Sequence, residues 1–400
     1  MPETFPSGIR SRISDELASL RKQSQFRDLE ILHGVNLSSN DYLGLATRPE
    51  FKQAVLDAVS QAESMGSTGS RLLSGNARAW KDLETEFAQF AGTEAALYFG
   101  SGYAANVGLL SSILTPGDIV FSDECNHASL IDGMRLSGAE KIIYPHLDLD
   151  FLGKALAEHR GAAGAKLIVT ESLFSMEGDI APLDQLLRLA RANGAELVID
   201  EAHAIGVYGP QGRGLAAQFG IEREVFAIVH TCGKALASMG AFVCGGATLK
   251  QFLINRARTF IFTTAAVPYM AGQIRAALEF AQTADSKRVH LQSIATALRQ
   301  ALRTRGLRSG NGNSHIVPVF FGSNEMALHV AEKLRSNGFA VKPIRPPTVP
   351  AGAARVRLSL TSNITLAQVH QLVSAISAAI ESTPPSTGTN ALHSCLSASS

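Results

Sequence analysis

Apolar residues at Ile9, Ile13, Leu17 and Leu20 recur at a helical interval with charges between them, so residues 9–25 read as an N-terminal helical arm. From about residue 50 the pattern alternates between two periods. The amphipathic run WKDLETEFAQFAG precedes the short apolar AALYFG, and a helix of small residues begins at Tyr103. The short apolar runs DIVFSD, KIIYP, KLIVTES and ELVID follow, with helical stretches between them. Such an alternation implies right-handed crossovers and a mostly parallel sheet, an α/β fold. One long helical stretch is predicted over roughly Ala271 to Arg305, after FIFTTAAVPYMAG. Beyond it HIVPVFFG, EMALHVAEKLRSNGF, ARVRLSL and LAQVHQLVSAISAAI read strand, helix, strand, helix, a smaller second lobe. Residues 383–400, TPPSTGTNALHSCLSASS, have the Ser, Thr and Pro content of a disordered tail.

A length of 400 residues allows two lobes, because single cores stop growing at roughly 250 to 300 residues. Lys plus Arg number 36 against 35 Asp plus Glu, which leaves no global field to draw in a nucleic acid or an anionic membrane. The four cysteines, Cys125, Cys232, Cys244 and Cys395, lie far apart without a CxxC pair, so neither a zinc site nor a disulfide framework is expected. The first dozen residues are charged and carry no apolar signal core, and no run reaches the ~18 apolar residues of a membrane span. The expected location is the cytoplasm.

The segment LVIDEAH, Leu197 to His203, contains the letters of a helicase magnesium motif. A helicase also needs a phosphate loop, in which Gly, four residues and then Gly-Lys-Ser/Thr cradle phosphates and ligate magnesium. The two Gly-Lys pairs, Gly153-Lys154 and Gly233-Lys234, are each followed by Ala, and neither has the preceding Gly. A nucleotide motor is thereby disfavoured, and no metal ligand set is assigned.

Lys234 has different company. From Val225 to Thr248 it is the one side chain certain to carry charge, and small residues surround it. Desolvation lowers an amine toward the neutral form that attacks carbonyls, whereas a lysine that snorkels outward would stay ordinary. Asp200 ends a buried strand, where a carboxylate is costly unless a cation or a helix cap meets it. A pyridinium nitrogen is such a cation, and its partner carboxylate keeps the ring an electron sink. An Asp followed some thirty residues later by a sheltered Lys therefore points to pyridoxal phosphate. Gly100, Ser101 and Gly102 precede a helix and offer free amides to a phosphate, though an ordinary strand-to-helix turn would look the same. Thr231 could add a hydroxyl, and His127 of SDECNHASLIDG could stack on a flat ring, shuttle a proton or simply cap a helix.

The ordered motifs SSNDYLGL, GSTGSRLLSGN, FGSGYAAN, NHASLIDG, ESLFSMEGD, DEAHAIGVYGPQGRG, TCGKA and RPPTVPAGAARVRLSL resemble those of the alpha-oxoamine synthases over roughly residues 10 to 380. The resemblance implies a fold-type I, pyridoxal 5′-phosphate-dependent homodimer with active sites at the subunit interface. It implies a large domain with a mostly parallel seven-stranded sheet, a smaller C-terminal α+β domain and an N-terminal helical arm. The corresponding boundaries are an arm over 1–45, a cofactor-binding domain over 46–285, a small domain over 286–382 and a tail over 383–400. IRPPTVPAG and GSRLLSGN are most similar to the branch that condenses L-alanine with a pimeloyl thioester in biotin biosynthesis; a glycine-using branch, acting on acetyl-CoA, is the alternative. No nucleic-acid or membrane partner is expected, and a regulatory DNA-binding relative would need more than the roughly 45 residues before the first core motif.

Carried over residue by residue, the resemblance makes Lys234 the Schiff-base lysine and proton carrier, Asp200 the partner of the ring nitrogen, His203 the partner of the ring's 3-oxygen and His127 the stacking group. Gly102, Tyr103 and Thr231 would hold the phosphate, with Thr263 or Thr264 arriving from the partner subunit. Ser175 and Glu171 would line the cofactor's edge. Arg357, assisted by Asn40, would bind the amino-acid carboxylate, and Arg27 and Thr348 would contact the acyl substrate. Glu201 is expected to be structural. Cys232 and the run Ala235 to Met239 depart from the family's usual glycines and aromatic, which leaves the shape of the lysine loop open.

Overall fold

The computed structural model describes residues 8–382, so the tail expected over 383–400 lies outside the described residues. Helix α1 (Ile9–Lys22) and the two-residue strand β1 (Val35–Asn36) precede α2 (Pro49–Ser60) and α3 (Arg78–Ala91). Strands and helices then alternate as β2 (Ala95–Phe99), α4 (Gly102–Ile113), β3 (Ile119–Asp123), α5 (Ala128–Ser137), β4 (Glu140–Tyr144), α6 (Leu149–Glu158), β5 (Lys166–Glu171), α7 (Leu183–Ala192) and β6 (Glu196–Asp200). After α8 (Leu215–Phe219) come β7 (Ala227–Thr231), β8 (Ala241–Gly245), α9 (Ala247–Arg256), α10 (Arg258–Ile261), α11 (Tyr269–Gln282) and α12 (Asp285–Thr304). The chain ends in β9 (Ile316–Gly322), α13 (Asn324–Ser336), β10 (Phe339–Ala340), β11 (Pro343–Ile344), β12 (Ala354–Ser359) and α14 (Leu366–Glu381).

The large sheet has seven strands in the order β2-β8-β7-β6-β5-β3-β4. Strand β8 pairs antiparallel with both neighbours and the remaining pairs are parallel. Both faces are covered, as a parallel sheet requires. Leu197, Ile199 and Ile228 enter one apolar cluster, and Val169, Val198 and Val229 enter the other with Leu109 of α4 and Leu130 of α5. Because side chains alternate along a strand, Glu171, Asp200 and Thr231 emerge on the α4 face at the ends of three adjacent strands. Register places Glu171 beside Asp200, and Asp200 beside Val229.

The helix expected over Ala271 to Arg305 is two helices, α11 and α12. The Thr283 hydroxyl turns back onto the Glu279 carbonyl at 3.1 Å, and Arg288 reaches from the next helix to the Ala281 carbonyl at 2.6 Å. These polar contacts satisfy the exposed end of α11, a break that apolar periodicity does not register. In the C-terminal lobe, the antiparallel sheet β11-β12-β9 packs against α13, and α14 packs in turn on α13 and α12. Two short strands, β10 and β11, were not anticipated. Strand β1 pairs with β10, and the Leu37 carbonyl accepts from the Ser359 amide at 2.8 Å. The SSNDYLGL segment is thus laid across the edge of β12, which carries Arg357.

Candidate active site

At the carboxyl ends of β5, β6 and β7 lies a cavity of about 320 Å³. Its lining includes Asn40, Gly102, Tyr103, His127, Glu171, Asp200, His203, Thr231 and Lys234, residues spread over most of the chain. Asp200 is buried and accepts from the Ala202 amide at 2.8 Å and from Asn106 Nδ2 at 2.6 Å. Asn106, one turn along α4 from Gly102, also donates to Ser129 Oγ at 2.9 Å. It was missed in the sequence, although the four-residue spacing from Gly102 could have signalled it. His127 caps α5, with Nδ1 accepting from the Ser129 amide at 3.2 Å and lying 2.8 Å from Ser129 Oγ. Its Nδ1 therefore carries no proton while the ring is neutral, and its N–H sits on Nε2.

Electrostatics separate the titratable groups. Burial drives the Lys234 ammonium below the ordinary lysine value, although Asp200 and Glu171 oppose this. Burial likewise lowers His127, against the pull of Asp200. Glu171 is pushed well above the usual carboxyl range by burial and then by Asp200, which favours its neutral acid, and its Oε1 has no protein partner. Around Lys234 the segment closes on itself, with the Cys232 amide on the Gly240 carbonyl at 2.8 Å and the Ala237 amide on the Lys234 carbonyl at 2.9 Å. The departure at 232–239 is thereby accommodated in a tight loop in which Ala237 takes a positive φ of 43°.

At the phosphate end, Ser101 caps α4 by accepting from the Ala104 amide at 3.0 Å, leaving the amides of Gly102 and Tyr103 at the helix start. A Cβ on Gly102 would lie 2.7 Å from Thr231 Cγ2, so the cradle admits only glycine there without a shift. Tyr103 is half exposed and its hydroxyl donates to Asp132. Thr263 and Thr264 are exposed and do not line this cavity of their own chain.

Arg357 is buried, its Nε–H donating to the Ser175 carbonyl and both terminal nitrogens lying 3.2 Å from Asn40 Oδ1. Ser175 thus meets the arginine through its main chain. Among the described residues no carboxylate pairs with this guanidinium. Arg27 and Thr348, 321 residues apart, meet at 2.9 Å on the surface. Glu201 faces away from the cavity and accepts from the Ala216 amide at 2.6 Å, at the start of α8. Asp123, Cys125 and His146 cluster nearby with metal-ligand chemistry. The Asp123 carboxylate is already met by the amides of Cys125 and Leu147 and by His146, and this hydrogen bond together with the Asp179 carboxylate 3.4 Å from Nε2 overcomes burial to push His146 up to about 12. The cluster is an ion-pair latch between β3, β4 and the ESLFSMEGD segment.

A flat aldehyde with a ring nitrogen for Asp200, a 3-oxygen for His203 and a phosphate for the α4 amides fits this donor set, and the Glu171 oxygen left without a partner lines the same cavity. Fold and site together define a pyridoxal 5′-phosphate-dependent transferase of fold-type I. A family model for aminotransferase class I and II matches residues 33–376, and the chain belongs to that family. It is 43% identical over 379 residues to an 8-amino-7-oxononanoate synthase of Geobacter sulfurreducens, covering 91% of this chain and 96% of the relative. A high-resolution structure of SPT with a PLP internal aldimine superposes at a TM-score of 0.87 with 30% identity, covering 94% of this chain and 99% of that one. The 8-amino-7-oxononanoate synthase of Francisella tularensis superposes at 0.75 with 29% identity, covering 87% of this chain and 98% of that one.

Proposed function

We propose that this chain is an acyltransferase that condenses L-alanine with a pimeloyl thioester, releasing carbon dioxide and the free thiol and forming 8-amino-7-oxononanoate for biotin biosynthesis. The observation that carries it is a buried guanidinium, Arg357, that meets only neutral oxygens and sits behind Asn40, which lines the same cavity as Asp200 and the desolvated Lys234. A buried cation of this kind calls for an anionic guest, and a guanidinium fork matches a carboxylate bidentately. The naming of the curated relatives supports the choice of alanine and pimeloyl thioester.

Pyridoxal phosphate, when bound, supplies the electron sink for the carbanion at the amino acid's alpha carbon. The chain supplies the rest. Asp200 would hold the ring nitrogen, and Asn106 orients Asp200. Lys234 would move the alpha proton, its burial favouring the neutral amine that accepts it. His127 presents Nε2–H over the cavity, and Ser129 holds that tautomer. Arg27 and Thr348, joined at 2.9 Å on the surface, would contact the acyl substrate.

The active unit is a homodimer in the cytoplasm. Leu72, Leu73, Met239 and Phe262 are large, apolar and exposed, and the exposed Thr263 and Thr264 are suited to a neighbouring subunit's phosphate cradle. The functional division into an arm over 1–45, a cofactor domain over 46–285 and a small domain over 286–382 is part of the same reading. Product analysis with alanine against glycine, and with pimeloyl-CoA against acetyl-CoA, tests it; preferred turnover of glycine with acetyl-CoA would overturn the substrate choice.

A further inference from the structure

Tyr42 has no exposed surface, yet its hydroxyl stands between the two halves of the site. Its Oη lies 2.5 Å from His203 Nδ1 and 3.0 Å from Asn40 Oδ1. The ring is fixed from behind by His315, edge-on at 4.0 Å between centroids. At the Asn40 end every other neighbour is a donor: the two terminal nitrogens of Arg357 and the hydroxyl of Ser359 all approach Asn40 Oδ1 at 3.2 Å. An amide oxygen has two lone pairs for which these three donors already compete, so a proton from Tyr42, at 3.0 Å, would be a fourth and is better placed on its shorter contact. The shorter contact, to His203 Nδ1, is where that proton goes.

We infer that Tyr42 is a positioning residue that donates to His203 Nδ1, locks that imidazole as its Nε2–H tautomer and so presents a hydrogen-bond donor to the cofactor's 3-oxygen. This rests on the reading that the cavity holds pyridoxal phosphate with its 3-oxygen at His203. Burial, followed by Lys234, Arg357, His315 and His127, holds His203 well below its ordinary value, so the ring has a single proton to place. Burial also raises Tyr42, which keeps the phenol a donor. The same hydroxyl abuts Asn40, the partner of Arg357, so the carboxylate subsite and the cofactor subsite share one rigid group.

The test is the pH titration of the cofactor's visible absorption in the holoenzyme. A donor on the 3-oxygen draws electron density from the adjacent imine and lowers its proton affinity. Tyr42→Phe should therefore move the spectral midpoint upward, by about one to two pH units if the hydrogen bond to a charged oxygen is lost entirely. In a His203→Asn background the same change should shift nothing, which a merely structural Tyr42 would not reproduce. A Tyr42→Phe holoenzyme whose midpoint stays within about 0.2 unit of the parent overturns the inference. If the parent protein, soaked in pyridoxal phosphate, shows no visible band, the cofactor reading itself falls and this inference with it. Should Tyr42→Phe fail to fold, nitrogen NMR of the histidine-labelled parent decides: a His203 with its proton on Nε2 supports the assignment, and one on Nδ1 refutes it.

Discussion

Arg357→Lys keeps a positive charge beside Asn40 and removes its shape. In the parent, Nε–H is committed to the Ser175 carbonyl, while the two terminal nitrogens share one oxygen of Asn40 at 3.2 Å each. Two long bonds to a single neutral acceptor are weaker than two parallel bonds to a carboxylate, so a bound amino acid can take those donors over at little cost. An ammonium on a shorter stem cannot hold Ser175 and also face a carboxylate with two parallel donors. At least one charge-assisted hydrogen bond is lost, worth about 1.5–3 kcal/mol. At about 1.4 kcal/mol per tenfold, alanine should bind roughly 10- to 100-fold more weakly. The assay is a spectral titration of the holoenzyme with alanine, alongside thermal melts to separate loss of binding from loss of packing. An alanine dissociation constant within threefold of the parent's would refute the assignment of Arg357 to the carboxylate.

Three further outcomes follow from the geometry. Lys234→Ala should leave no borohydride-reducible link between cofactor and protein, checked by mass spectrometry of the digested chain after reduction. Gly240→Ala should lower the melting temperature and weaken cofactor retention, because that residue has a φ of 89° and a Cβ there would lie 2.1 Å from Tyr98 Oη; the strain costs of the order of 1–3 kcal/mol. His146, pushed up to about 12 in the fold from an ordinary 6.5, contributes stability that is fully present below pH 6.5 and fades as pH rises toward 12. In denaturant titrations the parent's advantage over His146→Gln should therefore be larger at pH 6 than at pH 10; an advantage that grows with pH would show that the latch is not an ion pair.

Much of the site was legible in the chain because it follows from local burial. Asp200 ends a strand of apolar residues and Lys234 lies in a run of small ones, so each announces the cost of a charge held out of water. The resemblance added roles for Arg357 and Asn40 that no local pattern carries. Asn106 and Tyr42 escaped notice because an Asn in a helix of small residues and a Tyr in a turn are unremarkable until their partners are known. The break between α11 and α12 escaped for a related reason: both halves keep the same apolar period, and the interruption lies in polar contacts to the main chain.

By itself the sequence determined the alternation of strands and helices, and with it a parallel sheet whose carboxyl edge would hold the ligand, since hydrophobic period and chain connectivity are properties of neighbouring residues. Tertiary structure alone decided which residues meet there. Asn40 and Arg357 are 317 residues apart, and Tyr42 and His203 are 161 apart. Contacts of that range depend on how β1 docks against the C-terminal lobe and on the register of β5, β6 and β7. The free energy of those arrangements belongs to the packed molecule as a whole, so it is written in no single stretch of the chain.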